Sequence, residues 1–164
     1  MVTLSTGTAA PHFTLKDLEG RNHALADALK QGPVLLAFFK ASCPCCQFTL
    51  PFLERLHQAR DGNQNVRVWG ISQSNASETR GFTKEYGTSF PMLLDEKGYP
   101  VSNQYGLATV PTLFLVRPDG SINVSSIGFV KKDIEAAAAE FAQATGQTIT
   151  VFQPADNVPE AKPG

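Results

Sequence analysis

The chain has 164 residues, 42% of them hydrophobic, enough for one globular domain with a sizeable core. Fourteen Lys and Arg stand against 15 Asp and Glu, a net charge of −1, so there is no charge excess to draw nucleic acid or an anionic membrane surface. No apolar run reaches the length of a membrane span, and no basic stretch leads into an apolar one near the start as in a secretory signal. The expected compartment is therefore the cytoplasm, or a periplasm if a targeting segment has been trimmed.

Residues 1–10 are polar and read as a loosely held lead-in. His12-Phe13-Thr14-Leu15, then Asp17-Leu18-Glu19-Gly20, predict a short strand and a turn. A short helix over 25–29 follows, stopped by Gly32-Pro33. Residues 34–39, Val-Leu-Leu-Ala-Phe-Phe, are apolar on both faces, the pattern of a central strand in a covered sheet. Next comes Lys40-Ala41-Ser42-Cys43-Pro44-Cys45-Cys46, which holds every cysteine of the chain. Phe48, Phe52, Leu53 and Leu56 then recur at helical spacing within 47–59. Pro51 lies inside that pattern, where it removes a hydrogen bond and should kink the helix.

A strand is predicted over 66–71, then a helix capped by Ser74 or Asn75 and ending at residue 86. A short strand over 90–94, a turn over 95–98 and a helical piece over 101–105 come next. Residues 112–116 form a strand, Arg117-Pro118-Asp119-Gly120 a turn, and 121–127 the return of a hairpin. The Ala-rich segment 131–144 is an amphipathic helix with Ile134, Ala138 and Phe141 inward and Gly146 as its stop. Residues 148–152 alternate weakly and suggest a peripheral strand. Residues 153–164 are Pro-rich without apolar pattern and read as a disordered tail outside a domain of residues 1–152. Strand–helix alternation followed by a hairpin and a last helix predicts a three-layer α/β fold.

The chemistry concentrates at the cysteines. Cys43 and Cys46 are spaced i, i+3, which on a first helical turn puts both on one face, within reach of disulfide geometry. Cys43 would stand at the helix N-terminus, where unpaired N–H groups and the helix dipole favour a thiolate. Pro44 suits the first helical position, which has no use for an N–H. Cys46, one turn in, should be more buried and act as the resolving thiol. Cys45 faces neither partner at its spacing and reads as a bystander, or as a secondary thiol able to trap a mixed disulfide or a soft metal such as Cu(I). An inert buried pair and a zinc half-site are the plainer readings. The second is opposed by the lack of any His at ligand spacing, so no metal is expected.

The strand–Cys-Pro-x-Cys–helix junction resembles the thioredoxin superfamily. Ala108-Thr109-Val110-Pro111-Thr112-Leu113-Phe114 resembles that family's cis-proline loop, and Pro51, five residues after Cys46, its helix kink. Ala10-Pro11-His12-Phe13-Thr14-Leu15 and Tyr105-Gly106-Leu107 are similar to the branch allied to the TlpA/ResA and AhpC/TSA groups. The likeness covers residues 8–145. It implies a thioredoxin fold, a central mixed sheet with helices on both faces and an insertion around residues 75–105. It also implies a redox-active Cys43–Cys46 disulfide in place of any cofactor, and a cis Val110–Pro111 bond. The Val110 backbone would then receive an extended substrate chain strand-fashion.

The reading that follows is a monomeric thiol–disulfide oxidoreductase. Cys43 and Cys46 are its catalytic residues, Val110 and Pro111 bind substrate, and Pro44, Cys45, Lys40 and Pro51 support them. Its partners would be a protein disulfide substrate and a protein electron donor. Lys40 could favour the Cys43 thiolate, or be a solvated lysine covering apolar surface. Ser42 stands where relatives carry a Trp. Ala37 stands where thioredoxins carry a buried carboxylate and Thr49 where ResA-like relatives carry a Glu, which leaves the base for Cys46 unnamed. Glu54 lies too far along the helix, and His12, His23 and His57 read as structural or exposed. Gln73-Ser74-Asn75, at a strand's C-terminal end, could touch substrate. Two alternatives remain. One is a peroxiredoxin-type peroxidase using Cys43, opposed by Lys40 at the position of the usual Thr or Ser. The other is a non-enzymatic module that binds partners or carries Cu(I).

Overall fold

The structure, a computed structural model, describes residues 2–164. Its centre is a five-stranded sheet in the order β5-β4-β3-β6-β7. These are β3 (Val34–Phe39), β4 (Arg67–Ser72), β5 (Met92–Leu94), β6 (Thr112–Val116) and β7 (Ile122–Ile127). β3, β4 and β5 run parallel, whereas β6 and β7 are antiparallel to their neighbours. A small hairpin, β1 (Thr14–Lys16) with β2 (Asn22–Ala24), lies to the side and meets β5 through an Asp17–Leu93 bridge.

The six apolar residues of β3 divide between two cores, as period-two geometry requires. Leu35, Ala37 and Phe39 face one core. There they meet α2 (Pro44–Ala59) through Cys46, Leu50, Leu53 and Leu56, α3 (Ala76–Tyr86) through Phe82, and α5 (Lys131–Thr145) through Ile134, Ala137, Ala138 and Phe141. Val34, Leu36 and Phe38 face the other. That side is covered by α1 (Leu25–Leu29) and α4 (Pro100–Gln104), with Tyr105 wholly buried just beyond α4. This is the three-layer thioredoxin-like arrangement, with α3, β5 and α4 lying between β4 and β6 in the chain, over the residues where an insertion was expected. Asn75 caps α3 in a reciprocal box with Glu78, one of the two expected caps.

Three segments differ from the expectations. Residues 2–10 are not loosely held: the Leu4 N–H donates to the Tyr105 carbonyl at 3.1 Å, the Gly7 N–H to that of Ile122 at 2.8 Å, and Ala9 bridges to Ser121. Met1 lies outside the described residues. Residues 148–152 form no strand. Val151 is buried and Phe152 packs its ring on Phe52 at 5.0 Å, so side-chain anchoring replaces ladder pairing. The tail expected to be disordered is also ordered. A 3-10 turn at Pro154–Asp156 is held by Arg55, which donates to Asp156 at 2.7 and 3.0 Å. A strand, β9 (Ala161–Lys162), then pairs antiparallel with β8 (Phe129–Val130). Backbone pairing and one bidentate ion pair order this segment, and neither leaves an apolar pattern in sequence.

Candidate active site

Two features bring the site together. β3 hands over to α2 within four residues, Lys40 to Cys43, so the cysteines cap the end of a central strand. β6 runs antiparallel to β3 with Thr112 opposite Phe38, which places the preceding Pro111 at the same end of the sheet. The Val110–Pro111 peptide is cis. Residues 67 positions apart thereby meet: the Cys43 thiol donates to the Val110 carbonyl at 3.5 Å.

Cys43 is the N-cap of α2, with extended backbone angles, φ −82° and ψ 117°. Its Sγ accepts from the Cys46 N–H at 3.1 Å, one of the orphan amides of the first turn. Pro44 occupies the first helical position beside it. Cys43 is partly exposed and Cys46 is wholly buried. All three cysteines are free thiols. Burial pushes the Cys46 thiol well above its ordinary range. Its hydrogen bond to Cys43 and Coulombic repulsion with Cys43 and Cys45 add to this, while a hydrogen bond with the Lys40 backbone works against it. The two thiols therefore have different environments: one meets solvent at a helix N-terminus, the other is held protonated behind it.

Cys45 turns away from this pair. It is buried, and its sulfur lies 3.8 Å from both the Thr49 hydroxyl and the Lys162 carbonyl. Lys40 is exposed and sets its ammonium over the Tyr99 ring, 5.8 Å from the centroid, rather than on a cysteine; only its backbone carbonyl serves Cys43, accepting that residue's N–H at 3.2 Å. Pro51 sits inside α2, which runs on through it to Ala59. Ala37 and Thr49 are buried, and the Thr49 hydroxyl donates to the Cys45 carbonyl at 2.7 Å, so neither offers Cys46 a base. Glu54 is engaged elsewhere, accepting from the Ser89 N–H at 2.7 Å and hydroxyl at 2.6 Å. Of the histidines, His12 is exposed, His23 bonds Asp17 at 2.8 Å, and His57 accepts from Arg60 at 3.1 Å.

A cleft of about 350 Å³ is lined by Lys40, Gln73, Tyr99, Ser102, Thr109 and Val110 among others, and the Val110 carbonyl that Cys43 bonds belongs to one of its walls. Gln73 lines it, donating to the Ser102 hydroxyl at 2.9 Å. Ser74 and Asn75 serve the frame instead. The Ser74 hydroxyl accepts from the Ala41 N–H at 3.0 Å, and Asn75 caps α3. Sequence reasoning missed Tyr99, Ser102 and the buried Asp95 behind them. Asp95 accepts from the Ser102 hydroxyl and N–H, both at 2.7 Å, and from the Val101 N–H at 3.1 Å. An Asp shortly before Pro100 at a helix start was the available signal.

The family model of the AhpC/TSA family matches residues 6–125. The chain belongs to the AhpC/TSA family. Within it, the chain is 30% identical over 131 residues to the thiol-disulfide oxidoreductase ResA of Geobacillus thermodenitrificans, covering 79% of this chain and 74% of that protein. It is 31% identical over 137 residues to the thioredoxin-like protein YneN of Bacillus subtilis, covering 82% and 79%. Among solved structures it is similar to the thioredoxin domain of a thiol-disulfide oxidoreductase from Bacteroides vulgatus, with a TM-score of 0.71 at 24% identity over 85% of this chain and 99% of that one. That likeness speaks to the fold: this AhpC/TSA chain has the thioredoxin-like architecture, and its cysteines stand at the β3–α2 junction.

Proposed function

We propose that the chain is a thiol–disulfide oxidoreductase acting on protein disulfides through Cys43 and Cys46. The observation that carries this reading is the asymmetry of the pair: Cys43, partly exposed, accepts the Cys46 N–H at 3.1 Å, while the Cys46 thiol is wholly buried one turn behind it. The relatives named as thiol-disulfide oxidoreductases support it.

In the first step the Cys43 thiolate attacks one sulfur of a substrate disulfide. A mixed disulfide forms on Cys43 and the other substrate sulfur leaves as a thiolate. In the thiolate form, the Cys46 N–H bond to Sγ becomes charge-assisted. In the second step Cys46 loses its proton and attacks the Cys43 sulfur, releasing the second substrate thiolate and closing a Cys43–Cys46 disulfide. Two electrons pass from the pair to the substrate, and the two expelled thiolates take up two protons. No side-chain base stands beside Cys46 among the described residues, so the thiolate expelled in the first step is the acceptor we assign to its proton. A protein dithiol then returns the pair to the reduced state by the same exchange in reverse. The Val110 carbonyl, 3.5 Å from Cys43 Sγ, marks where the substrate backbone would lie.

The test is reduction of insulin disulfides by the purified chain with a dithiol donor. Turnover that is lost in Cys43→Ser supports the reading, and full activity in that variant contradicts it. Membership of the AhpC/TSA family favours a second reading, peroxide reduction at Cys43, in which the thiolate becomes a sulfenic acid that Cys46 condenses with, releasing water. Saturable peroxide consumption far faster than that of a free thiol would favour it over disulfide exchange.

A further inference from the structure

The segment 159–164 crosses the face of the molecule that the disulfide-exchange reading gives to substrate. Its strand β9 pairs with β8 through Phe129–Lys162 and Val130–Ala161, and the Lys131 N–H donates to the Glu160 carbonyl at 2.9 Å. The Lys162 carbonyl stands 3.8 Å from the Cys45 sulfur, and the Lys162 ammonium lies over the Phe48 ring, 4.6 Å from its centroid. At Gly128, φ +76°, a Cβ would come within 2.5 Å of the Lys162 carbonyl, so the two backbones touch. Gly164 then reaches the cis-proline loop. A Cβ there would be 2.4 Å from the Val110 carbonyl and 3.2 Å from the Thr109 hydroxyl. That carbonyl is the one Cys43 bonds.

These contacts are what an incoming extended chain would make: backbone pairing on an edge, a small residue beside Val110, and a cation over an aromatic ring. The hold is also slight. The ladder is two residues long and both are exposed. Pro159 and Pro163 flank it and bring no N–H with which to extend it. Upstream, the ion pair of Arg55 with Asp156 and the packing of Val158 on the core fix the root of the segment, so it can lift without disturbing the domain.

We propose that residues 159–164 are an intramolecular stand-in for substrate, a displaceable strap that covers Cys45 and competes with an extended partner chain for the groove beside Val110. Its covering of Cys45 stands on geometry alone, while the competition rests on the disulfide-exchange reading.

The experiment separates the two. In a Cys43→Ser, Cys46→Ser background, only Cys45 reacts with iodoacetamide. Removing 159–164, or pushing the strap off Val110 with Gly164→Val, should speed Cys45 alkylation roughly tenfold, the factor that one or two net backbone hydrogen bonds represent. The free hexapeptide Pro-Glu-Ala-Lys-Pro-Gly, added to the shortened chain, should restore protection where a scrambled one does not. With native cysteines, the shortened chain should show a lower KM for insulin and an unchanged rate with a small aromatic disulfide. Unchanged Cys45 labelling in both variants overturns the strap, as does failure of the hexapeptide to reprotect. An insulin KM that does not move in an enzyme active on both substrates overturns the competition. Absence of disulfide exchange in every form counts against the proposed function and leaves the labelling and the hexapeptide to decide the strap.

Discussion

The backbone N–H of Cys46 donates to Cys43 Sγ at 3.1 Å while the Cys46 thiol itself is wholly buried. One residue thus reaches its partner's sulfur through its amide and keeps its own sulfur in the core. This division of labour follows from i, i+3 spacing at a helix start: the first-turn amide points back at the cap, and the side chain turns into the core against Leu50 and Leu53. Cys46→Ser should therefore complete the first half of exchange and stop. The expected product is a stable covalent adduct of one substrate chain, visible by mass spectrometry without reductant and removed with it. Cys43→Ser should form no such adduct.

The raised Cys46 thiol sets a pH dependence. A thiol whose titration lies above the working range is almost wholly protonated near neutrality, and its thiolate fraction grows tenfold with each unit of rising pH. Resolution of a mixed disulfide preformed on Cys43 should accelerate as pH rises from neutral to alkaline. Release of the substrate thiol, followed by rapid-quench chromatography, measures this. A resolution rate flat with pH would mean that a proton acceptor outside the thiols serves Cys46.

A second titration acts on stability. Burial raises the carboxyl of Asp17, but the bond from His23, the amides of Arg21 and Glu19 and the Arg21 guanidinium outweigh it and hold it well below the ordinary range. A carboxyl lowered by folding stabilises the fold above its unfolded value near pH 4, and that stability is lost as pH falls toward the folded value. Asp17→Asn should cost about 1–3 kcal/mol at neutral pH, since an amide cannot satisfy the same donors, and should flatten the loss of stability in acid. Urea denaturation at neutral pH and at pH 3 checks both.

Asp95 supports the Ser102 wall of the cleft from behind. Buried, it accepts three bonds from Val101 and Ser102, and Ser102 in turn accepts from Gln73. Asp95→Ala would strand those donors and cost about 2–3 kcal/mol. Thermal unfolding should show the loss. The effect on insulin reduction should fall on KM, because the cleft wall loosens while the thiols are untouched.

Legibility in the sequence followed the kind of force involved. β3 and α2 were readable because burial writes itself into apolar periodicity: six residues in a row for a strand covered on both faces, and Phe48, Phe52, Leu53 and Leu56 for the helix. Of the helix residues Leu53 and Leu56 are buried, while Phe48 and Phe52 pack partly buried against the core beside Cys46 and Leu50, which that pattern did not include. The Cys43–Cys46 spacing and the Val110–Pro111 loop were readable as a resemblance, and the β3–β6 register explains why they meet. The N-terminal residues and β9 were not readable. Leu4, Gly7, Glu160 and Lys162 are held by backbone groups, which every residue carries alike. Cys45 was readable as facing away from its neighbours, but its partner, the Lys162 carbonyl, is 117 positions distant. The cleft wall failed for a similar reason: Tyr99 and Ser102 reach it only because a turn with Lys97 and Tyr99 at positive φ folds α4 back.

The central claim is that Cys43 and Cys46 cycle between thiols and a shared disulfide while Cys45 stays apart. The direct measurement is a redox titration against a dithiol buffer, with thiols counted at each potential and the bonded pair located by peptide mass spectrometry. The account predicts a single two-electron transition in which each chain loses two thiols, the bond joins Cys43 to Cys46, and Cys45 remains free. Three thiols that persist at every potential, or a bond that includes Cys45 as the main product, would contradict it.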